Sequence, residues 1–402
     1  MKKAYIWGAG KQFTKVYNAV NKDYCMVLGV IDSDPNKRGK FIEDQFVISS
    51  PDLLRHSEFD AVIISTKDYR MILNECKSMG IDNSKIIIFW KPRQTSLYID
   101  CNAKRILELE EELEKYKARL ENLPYELYVK PAPNVRSAEE LLNLIIDKKL
   151  SLCRFGDGEF DIMRNKKCSW FQNQDSSLSG RLKEIVRSRH PDIMIAVADN
   201  FGSLEKYTEK AADEIRQYLY GNTRKEIMEF LDLKHVYYDA YVTRPYILYK
   251  DKVYSKYIFE LLKKVWNNRE ILVVEGKYTR MGIDNGLFDN ARRVRRILCP
   301  EKNAYTRYRE IIKTIQETAA EDELVLVSLG PTATVLAYDV AREGVQALDI
   351  GQVDNEYEWF LRGAKDRIGI PGKGVAELSG YHCPSDIDID FIYEEQIIKR
   401  IG

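Results

Sequence analysis

Over the first 95 or so residues, hydrophobic positions come in short unbroken runs and do not alternate with polar ones. Ala4–Trp7, Val27–Ile31, Ala61–Ile64 and Ile86–Trp90 are such runs, rich in β-branched and aromatic side chains. A run of this kind marks a strand covered on both faces, the situation of a parallel sheet. Helix-length amphipathic stretches separate them, Tyr69–Met79 among them. Alternation of the two predicts a doubly wound, Rossmann-like α/β sheet over residues 1–98.

The period then changes. Ile106, Leu109, Leu113, Tyr116, Leu120 and Leu123 are spaced three and four apart in turn, among Glu, Lys and Arg. This is a coiled-coil a/d pattern, shorter than the three or four heptads that secure one. Residues 99–130 are therefore expected to form a helical linker, broken at Pro124, Pro131 and Pro133. It either lies on a neighbouring domain or pairs two chains into a homodimer through residues 103–123; both readings stand.

From residue 131 to 402 the pattern is α/β again. Ser137 and Glu140 form a capping box ahead of a helix carrying Leu141, Leu142, Ile145 and Ile146. Strands are expected at Leu150–Arg154, Ile193–Val197, Val236–Val242, Ile271–Val274, Arg296–Leu298, Leu324–Ser328 and Ala347–Ile350. The stretch Asp386–Ile401 reads as a short strand and helix. The fold class is α/β throughout: a small Rossmann-like sheet, a helical linker and a larger α/β domain.

Charge narrows the partners. With 62 basic and 62 acidic residues the formal net charge is zero, which disfavours nucleic acid. The basic run Arg292–Arg296 reads as a solvated helix face. No apolar signal region opens the chain, and no stretch is long enough to cross a bilayer, so a cytoplasmic protein is expected. The seven cysteines (25, 76, 101, 153, 168, 299, 383) form no close pairs, which argues for reduced thiols. The four histidines are mutually distant, which argues against a His-rich zinc site.

Ligands of open α/β sheets bind beyond the carboxyl ends of the strands, and polar groups gather at just those places. The first strand of the larger domain runs into Arg154-Phe155-Gly156-Asp157-Gly158-Glu159, where two carboxylates one glycine apart suit one divalent cation. Other strand ends lead to Thr243-Arg244-Pro245-Tyr246, to Glu275-Gly276 followed by Arg280, and to Cys299-Pro300 with Asn303 beyond. Gly330-Pro331-Thr332 precedes a helix at once, offering amides and a hydroxyl at a positive helix end. Gly351-Gln352-Val353-Asp354-Asn355-Glu356 follows the last strand.

The motifs from Arg154 to Glu159, from Val242 to Tyr246, from Gly330 to Thr334 and from Gly351 to Trp359 resemble those of the bacterial GT-D-type glycosyltransferases, over residues 137–380. The resemblance implies a glycosyltransferase that takes a hexose or N-acetylhexosamine from a nucleotide-diphosphate sugar, a UDP-sugar, to a glycan acceptor on protein or lipid. The setting would be bacterial glycoprotein or surface polysaccharide synthesis. It implies Mn2+ or Mg2+ held by Asp157, Glu159 and Gln352, with Asp354 and Glu356 as further catalytic carboxylates. It also implies donor binding by Arg154, Gly156, Arg244, Arg280, Asn303, Gly330, Pro331 and Thr332. Gln352 stands where the family has histidine, and its carbonyl is a weaker ligand.

The N-terminal segment is similar to small Rossmann domains on bacterial sugar-modifying enzymes. Gly8-Ala9-Gly10 begins a dinucleotide fingerprint and Asp32 ends the second strand, but Phe13 occupies the third glycine's place. That departure favours a docking or regulatory domain over a nicotinamide site. Two rival functions follow: an NAD-dependent sugar-nucleotide epimerase or dehydratase, and a non-catalytic nucleotide-sugar-binding protein.

Overall fold

The computed structural model describes all residues except 92–95, 167–171 and 376–390. It divides into two units, Met1–Tyr116 and Lys117–Gly402. Cys168, His382, Cys383 and residues 386–390 lie outside the described residues.

In the first unit the elements run β1 (Lys2–Trp7), α1 (Phe13–Asn18), β2 (Cys25–Ile31), β3 (Phe41–Ile42), β4 (Phe46–Ser49), β5 (Ala61–Ile64), α2 (Arg70–Ser78) and β6 (Ile86–Ile88). They build one six-stranded sheet in the order β3-β4-β2-β1-β5-β6. Every pairing is parallel except the β3–β4 hairpin. Central β1 sends Ala4 and Ile6 into one core and Tyr5 and Trp7 into the other. That double burial is why its sequence shows no alternation. Phe13 opens α1 as a fully buried core side chain. Asp32, at the end of β2, accepts from the amides of Ala9 at 2.7 Å and Asp34 at 2.9 Å and pairs with Lys37 at 3.0 Å. The acid that a dinucleotide site would present to a ribose is engaged by the Gly8–Gly10 loop and by its own loop.

Helix α3 (Cys101–Glu126) crosses the division between the units and runs through Pro124, correcting the expected break there. A proline removes one backbone donor, but side chains at this end are anchored inside the second unit. The Arg224 guanidinium lies 4.2 Å from the Tyr125 ring centre, and Glu126 takes a bidentate pair from Arg216 at 2.7 and 2.8 Å.

The second unit continues with β7 (Asn134–Arg136), α4 (Ala138–Lys148), β8 (Ser151–Phe155), α5 (Asp157–Met163), α6 (Ser176–Ile185), β9 (Ile193–Val197), α7 (Glu209–Leu219) and α8 (Thr223–Met228). Then come β10 (Val236–Asp239), α9 (Lys252–Val265), β11 (Glu270–Gly276), β12 (Arg293–Cys299), α10 (Tyr308–Thr318), β13 (Leu324–Ser328) and α11 (Pro331–Arg342). The last elements are β14 (Ala347–Asp349), α12 (Val353–Leu361), α13 (Phe391–Gln396) and β15 (Ile397–Arg400). Nine parallel strands form one sheet in the order β15-β12-β11-β13-β14-β8-β9-β10-β7. Ser137 caps α4 by accepting from the Glu140 amide at 3.2 Å, but the Glu140 carboxylate pairs with Arg136, so of the expected capping box the serine half is the one that forms.

Alternate side chains of the central strands enter two cores. Leu272, Val274, Val325 and Val327 meet α6, α7, α10 and α11 on one face, while Ile271, Val273, Leu324 and Leu326 meet α4, α9 and α12 on the other. The basic run 292–296 is not a solvated helix face, because most of it is β12. Arg296 is buried and donates to Glu275 at 2.7 Å, and Arg295 pairs with buried Glu323. Buried carboxylates on the flanking segments attract these guanidinium groups, since neither charge tolerates burial alone. Among the described residues no helix is long and apolar enough to cross a membrane. Cys25, Cys76, Cys101, Cys153 and Cys299 are free thiols.

Candidate functional site

A cavity of about 560 Å³ opens at the carboxyl edge of the nine-stranded sheet. Its walls come from the segments that follow β8, β9, β10, β11, β12, β13 and β14. Helix α12 after β14 packs on one face of the sheet, whereas α5–α6 and α11, which follow the neighbouring strands β8 and β13, pack on the other. Helices leaving in opposite directions open a crevice at the strand ends, where open α/β sheets bind ligands.

Asp157 and Glu159 sit in the first turn of α5 and both line this cavity. Asp157 is exposed, with Oδ1 accepting from the Gly158 amide at 3.0 Å. Glu159 turns back, so that Oε2 accepts from the Gly156 amide at 2.7 Å. Burial, then the nearby charge of Asp349, pushes the Glu159 carboxyl up to about 7, against the pull of the Gly156 amide and Arg154.

Gln352 lines the same cavity, its Oε1 accepting from Asn355 at 3.2 Å. No group of three or more His, Cys, Asp or Glu among the described residues is arranged to hold a metal. The donors present still fit a divalent cation of another kind. Two carboxylates on one helical turn, each with an oxygen to spare, suit an ion that completes its oxygen shell from a bound diphosphate.

Arg154 reaches the cavity wall but acts as a strut. Its Nε donates to the Asp349 carbonyl at 2.9 Å, its Nη1 to the Ala240 carbonyl at 3.1 Å and its Nη2 to Asp349 Oδ1 at 3.1 Å. One guanidinium thus ties the ends of β8, β10 and β14 together. Gly351, at φ +47°, is packed so closely that a Cβ there would lie 2.0 Å from Arg154 Nη2. Gly330 and Pro331 line the cavity, with Gly330 at φ +54° turning the chain from β13 into α11. Pro331 starts α11 where a missing amide costs nothing.

Other expected site residues turn inward to hold the frame. Thr332 is fully buried, and its hydroxyl meets Gln172 Oε1 at 3.4 Å, so Gln172 and not Thr332 faces the cavity. Glu356 accepts from the amides of Tyr246 and Ile247, both at 3.0 Å, and lies behind the wall. Asp354 touches the cavity but is 1% exposed. It is held by the Gly282 amide at 2.8 Å, Asn285 at 2.6 Å and Lys373 at 2.7 Å.

Arg280 is not part of the wall; it stacks over Tyr393 at 5.3 Å. Asn303 is not part of it either, and accepts from the Asn173 amide at 2.6 Å. For Asp354 and Glu356 the reason is the same. A buried polar group needs a partner, and loop amides and cations nearby supply one. Arg244 does line the cavity, half-buried, with Nε 3.9 Å from Glu356.

The cavity also gathers groups that the sequence pattern did not single out: Asn200, Tyr218, Tyr241, Glu301 and Arg367. Asn200 and Glu301 follow β9 and β12 within a few residues, so position past a strand end was the available signal. Tyr218 comes from the side of α7, which no local pattern announces. Glu301 Oε1 is buried with no hydrogen-bond partner among the described residues. Burial pushes its carboxyl up to about 7, opposed by Lys302 and Lys277.

A raised carboxyl keeps its proton in the folded state after the unfolded chain has lost it. Stability is therefore expected to fall as pH rises from the ordinary value of 4.5 to about 7. The Glu301→Gln variant should match wild type in thermal melts near pH 5 and melt above it at pH 8. Parallel melting curves at both pH values would show that Glu301 is not desolvated.

The protein-family model described as the glycosyltransferase GT-D fold matches residues 152–378, and a model described as C2185-like, N-terminal matches residues 1–87. The chain is 36% identical over 274 residues to a probable glycosyl transferase, Gly, of Streptococcus gordonii, covering 67% of this chain and 39% of that protein. It is 35% identical over 274 residues to the glycosyltransferase GlyD of Streptococcus pneumoniae, covering 66% of this chain and 32% of that protein. It thus spans about a third to two fifths of the length of these relatives. A solved structure of domain of unknown function 1792, described as a distinct glycosyltransferase fold, superposes with TM-score 0.64 at 31% identity, covering 72% of this chain and 100% of that one. A glycosyltransferase of that domain class from Streptococcus sanguinis superposes with TM-score 0.62 at 34% identity, covering 67% of this chain and 100% of that one.

Proposed function

Since the chain belongs to the GT-D-fold glycosyltransferase family, we propose that it transfers a sugar, a hexose or N-acetylhexosamine, from a UDP-sugar to a hydroxyl of a glycan acceptor on protein or lipid. The observation that carries this reading is the meeting of Asp157, Glu159 and Gln352 with Arg244 and the Gly330–Pro331 start of α11 around one cavity. A sugar nucleotide presents a diphosphate, and these groups are the ones a diphosphate needs: carboxylates for its counter-cation, a guanidinium and a helix start.

Mn2+ or Mg2+ held by Asp157, Glu159 and Gln352 would offset the charge that develops on the departing nucleotide diphosphate. The chain's own groups do the rest. Arg244 and the α11 start orient the phosphates, while Arg154 fixes the spacing of the strand ends on which all of these stand. In the first unit, Asp32 is spent on the amides of Ala9 and Asp34, which favours this reading over a nicotinamide-dependent one.

The test is nucleotide binding with and without manganese. UDP at about one hundred times its Kd should stabilise the fold by about 2.7 kcal/mol, and removal of the metal with a chelator should reverse most of the shift. UDP-glucose should release UDP slowly into water under the same conditions. Thermal melts unmoved by every nucleoside diphosphate in the presence of manganese would overturn the proposal.

A further inference from the structure

Helix α3 has two apolar faces, one packed within the chain and one exposed. Ala103 and Leu107 pack against the core of the first unit. Ala118 and Asn122 are each 1% exposed within the second unit, where Asn122 donates to the Arg216 carbonyl at 3.2 Å. In the heptad that starts at Ile106, the last three of these fall at b, f and c, away from the a/d seam. The seam itself (Ile106, Leu109, Leu113, Tyr116, Leu120 and Leu123) is between 45% and 71% exposed at every position. Six large apolar side chains in heptad spacing make a stripe about 26 Å long on one helix, more than scattered surface hydrophobics explain.

We propose that a second copy of this chain covers the stripe, so that two α3 helices form a short parallel, in-register coiled coil. The charges beside the seam identify the occupant. Arg105 and Glu112 stand at g positions, Glu110 and Lys117 at e positions. In a parallel pair each g residue meets the partner's e residue five positions on. Arg105 then faces Glu110 and Glu112 faces Lys117, so both contacts join opposite charges, twice over by symmetry. Among the described residues, the ion pairs of Arg105 are surface contacts along its own helix, 3.5 Å to Glu108 and 3.9 Å to Glu112. Such pairs are weak and re-form at little cost. A coil of this length needs nothing from the catalytic cavity, and the inference stands apart from the proposed reaction.

Sedimentation of the full chain at micromolar concentration should give twice the 46.8 kDa chain mass. The double variant Leu113→Glu, Leu120→Glu should give the single mass, with circular dichroism and melting showing a folded chain, because its four charges would be buried against each other in the pair. A Leu113→Cys variant should cross-link to itself on mild oxidation well above the background from exposed Cys101. A monomeric wild type, or a dimer that survives the double variant, overturns the proposal. Failure of Leu113→Cys to cross-link overturns the in-register arrangement.

Discussion

Asp157→Asn and Glu159→Gln should each fold as wild type does and lose at least about a hundredfold in metal-dependent turnover of the sugar nucleotide. Each substitution preserves the local hydrogen bond. Asparagine at 157 can still accept from the Gly158 amide through its carbonyl, as Asp157 does at 3.0 Å. Glutamine at 159 can still accept from the Gly156 amide, now 2.7 Å from the carboxylate. What each removes is a negative charge facing the cavity.

For Glu159 that charge is costly to the fold, since burial raises its carboxyl to about 7. Above neutral pH the glutamine variant should melt no lower than wild type. Retained stability together with lost turnover separates a catalytic pair from one that merely starts a helix. Wild-type rates in both variants, measured as UDP release with manganese present, would remove Asp157 and Glu159 from the mechanism. Lower melting with unchanged rates would make them structural.

Replacing Gly351 by alanine should destabilise the fold strongly. Two costs add. At φ +47° an L side chain is strained, by roughly 1–3 kcal/mol. The new Cβ would also fall 2.0 Å from Arg154 Nη2, so the guanidinium must leave the position in which it donates to Asp349 and Ala240. Asp349 is 3% exposed and would lose its counter-charge, and breaking one side of a buried pair costs about 3–5 kcal/mol.

A combined loss of at least about 3 kcal/mol corresponds to roughly 6–12 °C in melting temperature for a unit of this size. Activity should fall with it, because Arg154 holds the cavity's edges at their spacing. Gly344 provides the control: its φ is +89°, and an added Cβ would meet nothing within 4 Å. Gly344→Ala should therefore show the strain alone. Equal melting of the two variants would mean that Arg154 is not the strut its contacts describe.

Arg154 and Asp157 show where legibility ends. Both sit at the end of β8 in one short motif, and both looked equally suited to a ligand. One is turned to main-chain carbonyls and a buried aspartate, the other faces the cavity. The same split runs through α12, where Gln352 and Asp354 line the cavity while Glu356 bonds two amides behind it. Nothing within six residues of sequence distinguishes them. Most partners of these groups are distant in the chain: Gly282 and Asn285 hold Asp354 from 72 and 69 positions away, with Lys373 19 away, and Tyr246 and Ile247 hold Glu356 from 110 and 109.

The strands themselves were legible because burial on both faces leaves a mark in the chain. Ile193–Val197 and Leu324–Ser328 are strands over just those residues, and seven of the nine in the larger sheet show as apolar runs. The other two are short edge strands. β7 is Asn-Val-Arg, with two of its three residues exposed, and β15 carries Lys and Arg at its end. An edge strand meets water on one side, so its sequence need not be apolar.

By itself, then, the sequence determined that there are parallel sheets, which segments form them, and that polar groups gather past their carboxyl ends. Only the tertiary structure decided the strand order, which carboxylates stay open to a ligand and which close on the fold. It also decided that the apolar stripe of α3 is exposed. A local pattern records how much water each residue meets. Which distant group meets it instead is settled only when the sheet closes and every buried charge has found a partner.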